Sequence, residues 1–503
     1  MKKSLKKLLT LGLAGVMAIS MFAGCNDSSK VDLKGVTDTT IYVGNTAGTT
    51  GALSTIGGPF NFGIEAAFHA YNNAGGYKGL SEAGEALANP LKVELKHYDD
   101  GGSAEQSKTL TEKLIHDDQV FAIVGNFAAT CVEANLEVIK EAEVPMVYAA
   151  AGNDILHNDN ATSLADRGIF PVQPLNKTEG RMLVLRAFAP ASNGGMGATK
   201  VGVLSDSANE ASITMLKGIR AEADALTEAQ RNNLIIQEVS GTDYSAAVNA
   251  IKANNCEVII VTSTGANYLT ALKAIAAAEY SCKVLTSYNN ASVAAFNSGN
   301  ALAAEYAGVF QYVDLYSQAW LDLTSATEFY TNSNHALYHI YYATYLTVYQ
   351  LPVEYGGLGL DEATAKATLD YYGIPGFKNE YWAMAEHLYD YAIASGKDAT
   401  TAYAMSYDAY AIAGYIAGDL FVQGLKALEA SGKALSRKNF VDVMESQEFH
   451  IATANNISFA NGLRQGVDAF ALTRITSTAG AAAASATVHT LTTLDAYRAL
   501  ILG

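Results

Sequence analysis

Cysteine, positive charge and the signatures of catalysis are all in short supply in this chain. Four cysteines occur in 503 residues, and Cys131, Cys256 and Cys282 stand in no CxxC or Cys/His spacing of the kind that holds a metal. Lysine and arginine together number 33 against 50 aspartates and glutamates, a formal charge of −17. Such a surface repels nucleic acid and anionic lipid, so no nucleic-acid partner is expected. GxSxG and HExxH do not occur, which leaves a secreted hydrolase without its nucleophile or its metal site. GTTGALSTIGG (Gly48 to Gly58) is rich in glycine but lacks the Lys-Ser/Thr of a phosphate-binding loop. It is read as shaping a loop. No cofactor follows from any of these patterns. After the first 25 residues no stretch is long and apolar enough to span a bilayer.

What is present points to an exported globular protein. Half the residues are apolar, which argues against disorder, and the length calls for two or more lobes. MKKSLKKLLTLGLAGVMAISMFAGC opens with four lysines, continues with an apolar run from Leu8 to Ala23 and ends in small residues before Cys25. That is the pattern of an export signal, short for a membrane span. Phe22-Ala23-Gly24-Cys25 resembles a bacterial lipobox, in which Cys25 becomes the lipid-bearing first residue of the mature chain. A plain signal peptide or an uncleaved anchor are the alternatives. Loss of the leader's four lysines takes the formal charge from −17 to −21. The expected product is a soluble body held to a bacterial membrane, outside the cytoplasm, by the lipid on Cys25.

Behind the leader the pattern alternates. TTIYVGN, LKVELKHYDD, QVFAIVGN and VPMVYAAAG read as strands, separated by the helical stretches PFNFGIEAAFHAYNNAG, AEQSKTLTEKLIHD and TCVEANLEVIKEAE. After a connecting stretch the alternation restarts with KTEGRMLVLRAFA and runs through TKVGVLSD, NLIIQEVS, CEVIIVTS and CKVLTSYNN to AEYAGVFQYVD. Strand and helix in turn mean βαβ units, so the fold class is α/β with two doubly wound parallel-sheet lobes. In such sheets ligands meet the carboxyl ends of the strands, where helix N-termini present free N–H groups. The turns after Val124 and Val147 share that edge.

The order GNTAGTTGALSTIGGPFNFGIEAAFHAYNNAGG, VELKHYDDGGSAEQSKTLTEKLIHDDQVFAIVGN, EVPMVYAAAGND and IFPVQP, followed far downstream by SYDAY and NISFANGLRQG, resembles the solute-binding proteins of branched-chain amino acid ABC transporters. These are the leucine/isoleucine/valine-binding type with a type I periplasmic binding fold. The resemblance covers roughly residues 38 to 315 and 403 to 475. It implies two lobes that close on a small polar solute and deliver it to an ABC permease, with no chemistry. It also implies three crossovers, here near Phe170 to Pro174, Tyr306 to Tyr312 and Ala452 to Ile457. The implied organisation is a signal peptide over 1–24, a tether over 25–37, and a first lobe from 38–170 and 309–453 with an insertion near 316–400. The second lobe takes 171–308 and 454–503. A ligand-binding module of a sensor or receptor uses the same fold and is the alternative reading.

Carried over position by position, the resemblance implies a ligand set of Ser54, Thr55, Ile56, Phe127, Ala129, Thr130, Ala150, Gly152, Asn153, Asp206, Glu210, Thr264, Tyr288 and Asn289. Thr130, the N–H groups of Ala150 and Gly152, and Asn153 are the expected carboxylate grip, where the family often reads Ala-Ala-Thr and this chain reads Ala150-Ala151-Gly152. The family's ammonium partner, a glutamate after the strand KVLT, is replaced by Ser287-Tyr288-Asn289-Asn290. Asp206 and Glu210 are the acids offered in its stead, because a buried cation needs one.

Other features carry two readings. Cys256 and Cys282 each precede a strand, so a disulfide is open if those strands are parallel neighbours, against two buried thiols. Asp99-Asp100 reads as a turn former and cap rather than a catalytic pair. Tyr338, Tyr341, Tyr342, Tyr345 and Tyr349 recur at helical spacing, as a core helix or a stacking platform. His335 and His339 lie one turn apart without a third ligand, so no metal site is assigned.

Overall fold

The computed structural model describes residues 35–290, 314–319, 359–361, 364, 380–406, 408–451, 454, 456–476 and 484–502. Cys25 with its leader, the tyrosine run and the His335/His339 pair lie outside the described residues.

Short apolar runs form the first sheet. Strands β1 (Thr40–Ala47), β2 (Lys92–Asp99), β3 (Ala122–Val124), β4 (Met146–Val147) and β5 (Ile169–Phe170) lie in the order β2-β1-β3-β4-β5, all parallel. Helices α1 (Ser54–Asn73), α2 (Ala104–His116), α3 (Ala129–Glu141) and the single turn α4 (Leu164–Arg167) connect them. Alternate residues serve opposite faces, as the pleat requires. Ala122 and Val124 join one apolar cluster while Ile123 joins Met146, Val132 and Leu136 in another. The winding reverses between β1 and β3, so the carboxyl ends of these two strands flank a switch point where open α/β sheets take their ligands.

The second sheet repeats the plan. After α5 (Asn176–Phe188) come β6 (Val201–Asp206), α6 (Glu210–Ala223), α7 (Glu228–Asn232), β7 (Leu234–Val239), α8 (Ser245–Ala253), β8 (Val258–Val261), α9 (Gly265–Ala277), β9 (Lys283–Thr286) and β10 (Asp314–Ala319). The parallel order is β7-β6-β8-β9-β10. Because β10 pairs with β9, the chain is still in the second sheet at Ala319, beyond the boundary expected near 308. The reading of AEYAGVFQYVD as the strand stops at the residue where β10 begins.

The chain then returns to the first lobe. α10 (Glu380–Ala394) and α12 (Ala409–Ser431) pack on α1, with α11 (Ala399–Ser406) between them and α13 (Arg437–Met444) behind. The crossover expected near Tyr306 to Tyr312 lies outside the described residues. Asp408 starts α12 by accepting the N–H groups of Tyr410 and Ala411. The α1/α12 crossing needs glycine: a Cβ on Gly414 would lie 1.8 Å from the Phe60 carbonyl oxygen, and one on Gly63 would lie 2.0 Å from that of Ala411. The two backbones thus meet with no side chain between them.

A two-stranded ribbon, β11 (Glu448–Phe449) with β12 (Ile457–Ser458), follows α13. The chain then supplies β13 (Ala469–Thr476) and β14 (Ala484–Thr493), an antiparallel extension of the second sheet, and ends in α14 (Leu494–Leu502) against α5. This hairpin was not foreseen. The Val467 N–H, downstream of the Ala452 to Ile457 stretch expected as the third crossover, donates to the Val172 carbonyl in the expected first crossover at 2.9 Å. Arg464, 1% exposed, ties its segment to Arg167 and Glu445 and also donates to the carbonyls of Phe459 and Leu463.

The bridge between Cys256 and Cys282 does not form: both are free, buried thiols. The strands are parallel neighbours, but the register pairs Val258 with Lys283, which sets Cys282 level with Glu257 and one residue out of step with Cys256. Burial pushes the Cys282 thiol up to about 12, so it is an inert core group.

Candidate functional site

The site is built from the loops at the carboxyl edge of the first sheet. After β1 the chain turns through Thr49 and Thr50, both held by Asp99. Its Oδ1 accepts the Thr49 N–H at 2.9 Å and the Gly101 N–H at 3.0 Å, and its Oδ2 accepts the Thr50 hydroxyl at 2.5 Å. The Thr50 hydroxyl, with these N–H groups, holds the Asp99 carboxyl down to about 2. Asp100 accepts the Gly102 N–H at 2.8 Å. These are the bonds of turn formers. Ser54 donates its hydroxyl to the Gly51 carbonyl at 2.9 Å, Thr55 is exposed and Ile56 is half-buried at the start of α1.

The turns after β3 and β4 carry unusual backbone. Gly125 has φ 74°, Ala128 has φ 71° and Tyr148 has φ 53°; for Ala128 and a bulky tyrosine this is a strained conformation of the sort that clusters at binding sites. Phe127 forms a bridge with Ala150, and its ring lies 5.2 Å from that of Phe60. The Ala150 N–H donates to the Asn126 carbonyl at 2.7 Å, so it is not part of the expected carboxylate grip: the bridge between the two turns consumes it. Ala129 and exposed Thr130 open α3. Asn153 donates its Nδ2 to the Ala129 carbonyl at 3.2 Å, tying the two turns together and leaving its buried Oδ1 without a partner.

Unpartnered polar atoms gather here. Besides Asn153 Oδ1, the Tyr148 hydroxyl, Asn126 Nδ2, Gln173 Oε1 and both amide atoms of Asn176 are buried and make no hydrogen bond. Buried polar groups are almost always paired, so such a concentration is the mark of a place where a ligand or water completes the bonding. Asn176 and Gln173 lie on the crossover from β5 to α5, and Asn176 lies over Gly152: its N–H donates to the Gly152 carbonyl at 3.1 Å. Sequence reasoning missed Tyr148, Gln173 and Asn176. The one signal was a cluster of amides beside Pro174 at the start of a helix, which on its own says only turn and cap.

The carboxyl edge of the second sheet is different. Asp206, 2% exposed, spends Oδ1 on the Ala208 N–H at 2.9 Å and Oδ2 on the Asn267 amide at 2.6 Å. Asn209 caps α6 and donates to the Thr264 hydroxyl at 3.2 Å. Glu210 accepts from Thr214 on its own helix. Asn289 bonds to Ser287. Tyr288 is not at the rim: it is buried, its ring 6.1 Å from Phe470 and its hydroxyl donating to the Pro174 carbonyl at 3.2 Å. Beneath it, fully buried Glu179 accepts the Tyr288 N–H at 2.6 Å and the Ser287 hydroxyl at 2.9 Å. Burial raises the Glu179 carboxyl well above the ordinary range. The acid missing from the loop after β9 is thus present nearby, but it faces that loop's own backbone. Among the described residues no group of three or more His, Cys, Asp or Glu could hold a metal.

A family model described as periplasmic binding protein matches residues 40–351. The chain belongs to the periplasmic binding protein family. Among solved structures, this periplasmic binding protein is similar to a fatty acid ABC transporter substrate-binding protein from Thermomonospora curvata, at 13% identity over 92% of this chain and 94% of that one, TM-score 0.58. It is also similar to a solute-binding protein of an ABC transporter from R. palustris in complex with benzoate, at 14% identity over 90% and 98%, TM-score 0.56. A branched-chain amino acid transporter substrate-binding protein from Streptococcus pneumoniae, in complex with isoleucine, matches at 14% identity over 89% and 100%, TM-score 0.55. At such identities the likeness is one of fold, the type I periplasmic binding architecture. No curated protein matches the sequence. Among the described residues no helix is long and apolar enough to cross a membrane.

Proposed function

We propose that this protein captures one small polar solute between its two lobes outside the cytoplasm, held to the membrane by a lipid on Cys25, and delivers it to an ABC importer without altering it. The observation that carries the reading is the row of buried, unpartnered polar atoms at the first sheet's carboxyl edge, Asn126 Nδ2, Tyr148 Oη and Asn153 Oδ1. Two sheets joined at crossovers supply the means to close, since hinge motion needs only a few residues to change backbone angle.

The test is thermal unfolding of the purified full chain against branched-chain and other amino acids, small carboxylates, amides, nucleosides and sugars. A solute that binds only the folded protein stabilises it by about 2.7 kcal/mol at a hundred times its dissociation constant. One solute class is expected to raise the midpoint and to be recovered unchanged. A flat response across the whole panel, or conversion of the solute, would overturn the reading. Anchoring is checked separately: Cys25→Ser is expected to release the protein from the membrane fraction and to abolish labelling with a radioactive fatty acid.

A further inference from the structure

We infer that Asn176 is a specificity-determining residue of this cleft, and that it selects a solute whose head group carries a hydrogen-bond donor beside an acceptor, as a primary carboxamide does. The inference rests on the solute-capture reading above and names the chemistry of the solute.

The geometry starts at Gly152. Its φ is not in the left-handed region, so the backbone does not call for glycine. Space does: a Cβ there would lie 2.0 Å from Asn176 Oδ1 and 2.5 Å from the Pro174 carbonyl oxygen. The Asn176 carboxamide therefore fills the volume that a side chain at 152 would occupy, at the edge where the turn after β4 ends. Asn176 itself is 0% exposed, and neither Oδ1 nor Nδ2 has a partner. An amide buried in that state carries an unrepaid desolvation cost for each lost bond. A bound solute that pairs with both atoms removes that cost.

The neighbours narrow the solute's chemistry. Asn153 Oδ1, next in sequence to Gly152, and Gln173 Oε1, next to Pro174, are also buried and unpartnered. The Asn153 amide is fixed with its oxygen free because its nitrogen donates to Ala129. Asn176 Oδ1 waits for a donor, as do those two oxygens, while Asn176 Nδ2 waits for an acceptor and the Tyr148 hydroxyl can serve as either. A carboxylate offers acceptors alone and leaves the Asn176 Oδ1 unmatched. An ammonium offers donors alone and leaves the Asn176 Nδ2 unmatched. Asp206 is committed to Ala208 and Asn267, so it does not supply an ammonium partner. A site built to hydrogen-bond a group rejects analogues that leave its buried polar atoms unpaired.

Butyramide, butyrate and butylammonium, close in size and differing in the head group, test this on the purified full chain by calorimetry and thermal unfolding. Butyramide is expected to bind and the two ions are not. Asn176→Ala is expected to weaken butyramide binding roughly tenfold or more, with the solute-free unfolding midpoint showing whether the fold survives. Equal or tighter binding of either ion by the natural chain, or unchanged butyramide affinity in Asn176→Ala, would overturn the inference. Binding of leucine or benzoate with no response to any amide would sink it while leaving solute capture intact. No response to any compound would remove both.

Discussion

The carboxyl edges of the two sheets are built from the same parts and finished differently. On the second, the loop polar groups satisfy one another: Asp206 holds Ala208 and Asn267, Asn209 holds Thr264, Tyr244 bonds to Ser263, and Asn290 donates to Ser263 and Thr286. On the first, Asn126, Tyr148 and Asn153 keep buried atoms unpaired, on backbone that includes two strained residues. A satisfied edge is rigid whether or not a solute is present, whereas an unsatisfied one gains from a solute what it lacks alone. Under the proposed function the first edge is the one that grips the solute and the second covers it. Substitutions on the gripping edge should cost affinity, and those on the covering edge should cost stability.

The largest effect tests the grip by filling it. Gly152→Val drives a side chain into Asn176 and Pro174, with an expected loss of solute-induced stabilisation and an overpacking cost of about 1–3 kcal/mol, read by denaturant unfolding with and without solute. Next, Asp206→Ala should destabilise by about 1–3 kcal/mol by orphaning the Ala208 N–H and the Asn267 amide, while the solute response of whatever remains folded changes little. Loss of binding with unchanged stability would invert the comparison.

Glu179→Gln separates the edges by pH. The folded carboxyl titrates above its unfolded value of about 4.3, so between those values the folded state binds more protons and stability falls as pH rises. Glutamine does not titrate and keeps an acceptor for the Tyr288 N–H. The variant should therefore be more stable than the natural chain at neutral pH, with the gain shrinking to nothing below about pH 4.3. Melting curves across pH check this. Tyr148→Phe should leave the empty protein as stable or up to about 1 kcal/mol more stable, since it removes an unpaired buried hydroxyl, and should weaken solute binding in titration calorimetry.

The smallest effect concerns His157, beside the gripping loop. Burial pushes its imidazole down to about 4, and its Nε2 has no partner. From the unfolded value of about 6.5 down to that folded value, the unfolded chain binds more protons. Its neutral burial thus contributes fully above about pH 6.5 and is lost as pH falls toward 4. His157→Gln should flatten the stability profile over that window and leave neutral-pH stability nearly unchanged.

Much of the fold was legible because parallel strands buried on both faces read as apolar runs. QVFAIVGN and CEVIIVTS could hardly lie elsewhere than in sheet centres. The hairpin of β13 and β14 was not legible: ALTRIT and ATVHTLTT have modest hydrophobicity and gain their place only by pairing beside β10, whose own position depends on β9. The site divided the same way. Gly125, Ala129 and Asn153 follow strands and fall at a carboxyl edge by chain order alone. Tyr288 also follows a strand, yet the crossover at Pro174 covers it, and it is core.

Local sequence therefore determined the α/β alternation, the two lobes and the edge on which a ligand would sit, because period, turn residues and strand ends are properties of neighbours along the chain. Tertiary structure decided which polar groups at that edge are free. Whether Asn176 lies over Gly152, and whether Asp206 is consumed by Asn267, depends on side chains brought together across loops, and a hydrogen bond spent inside the protein is invisible until both partners are placed in space.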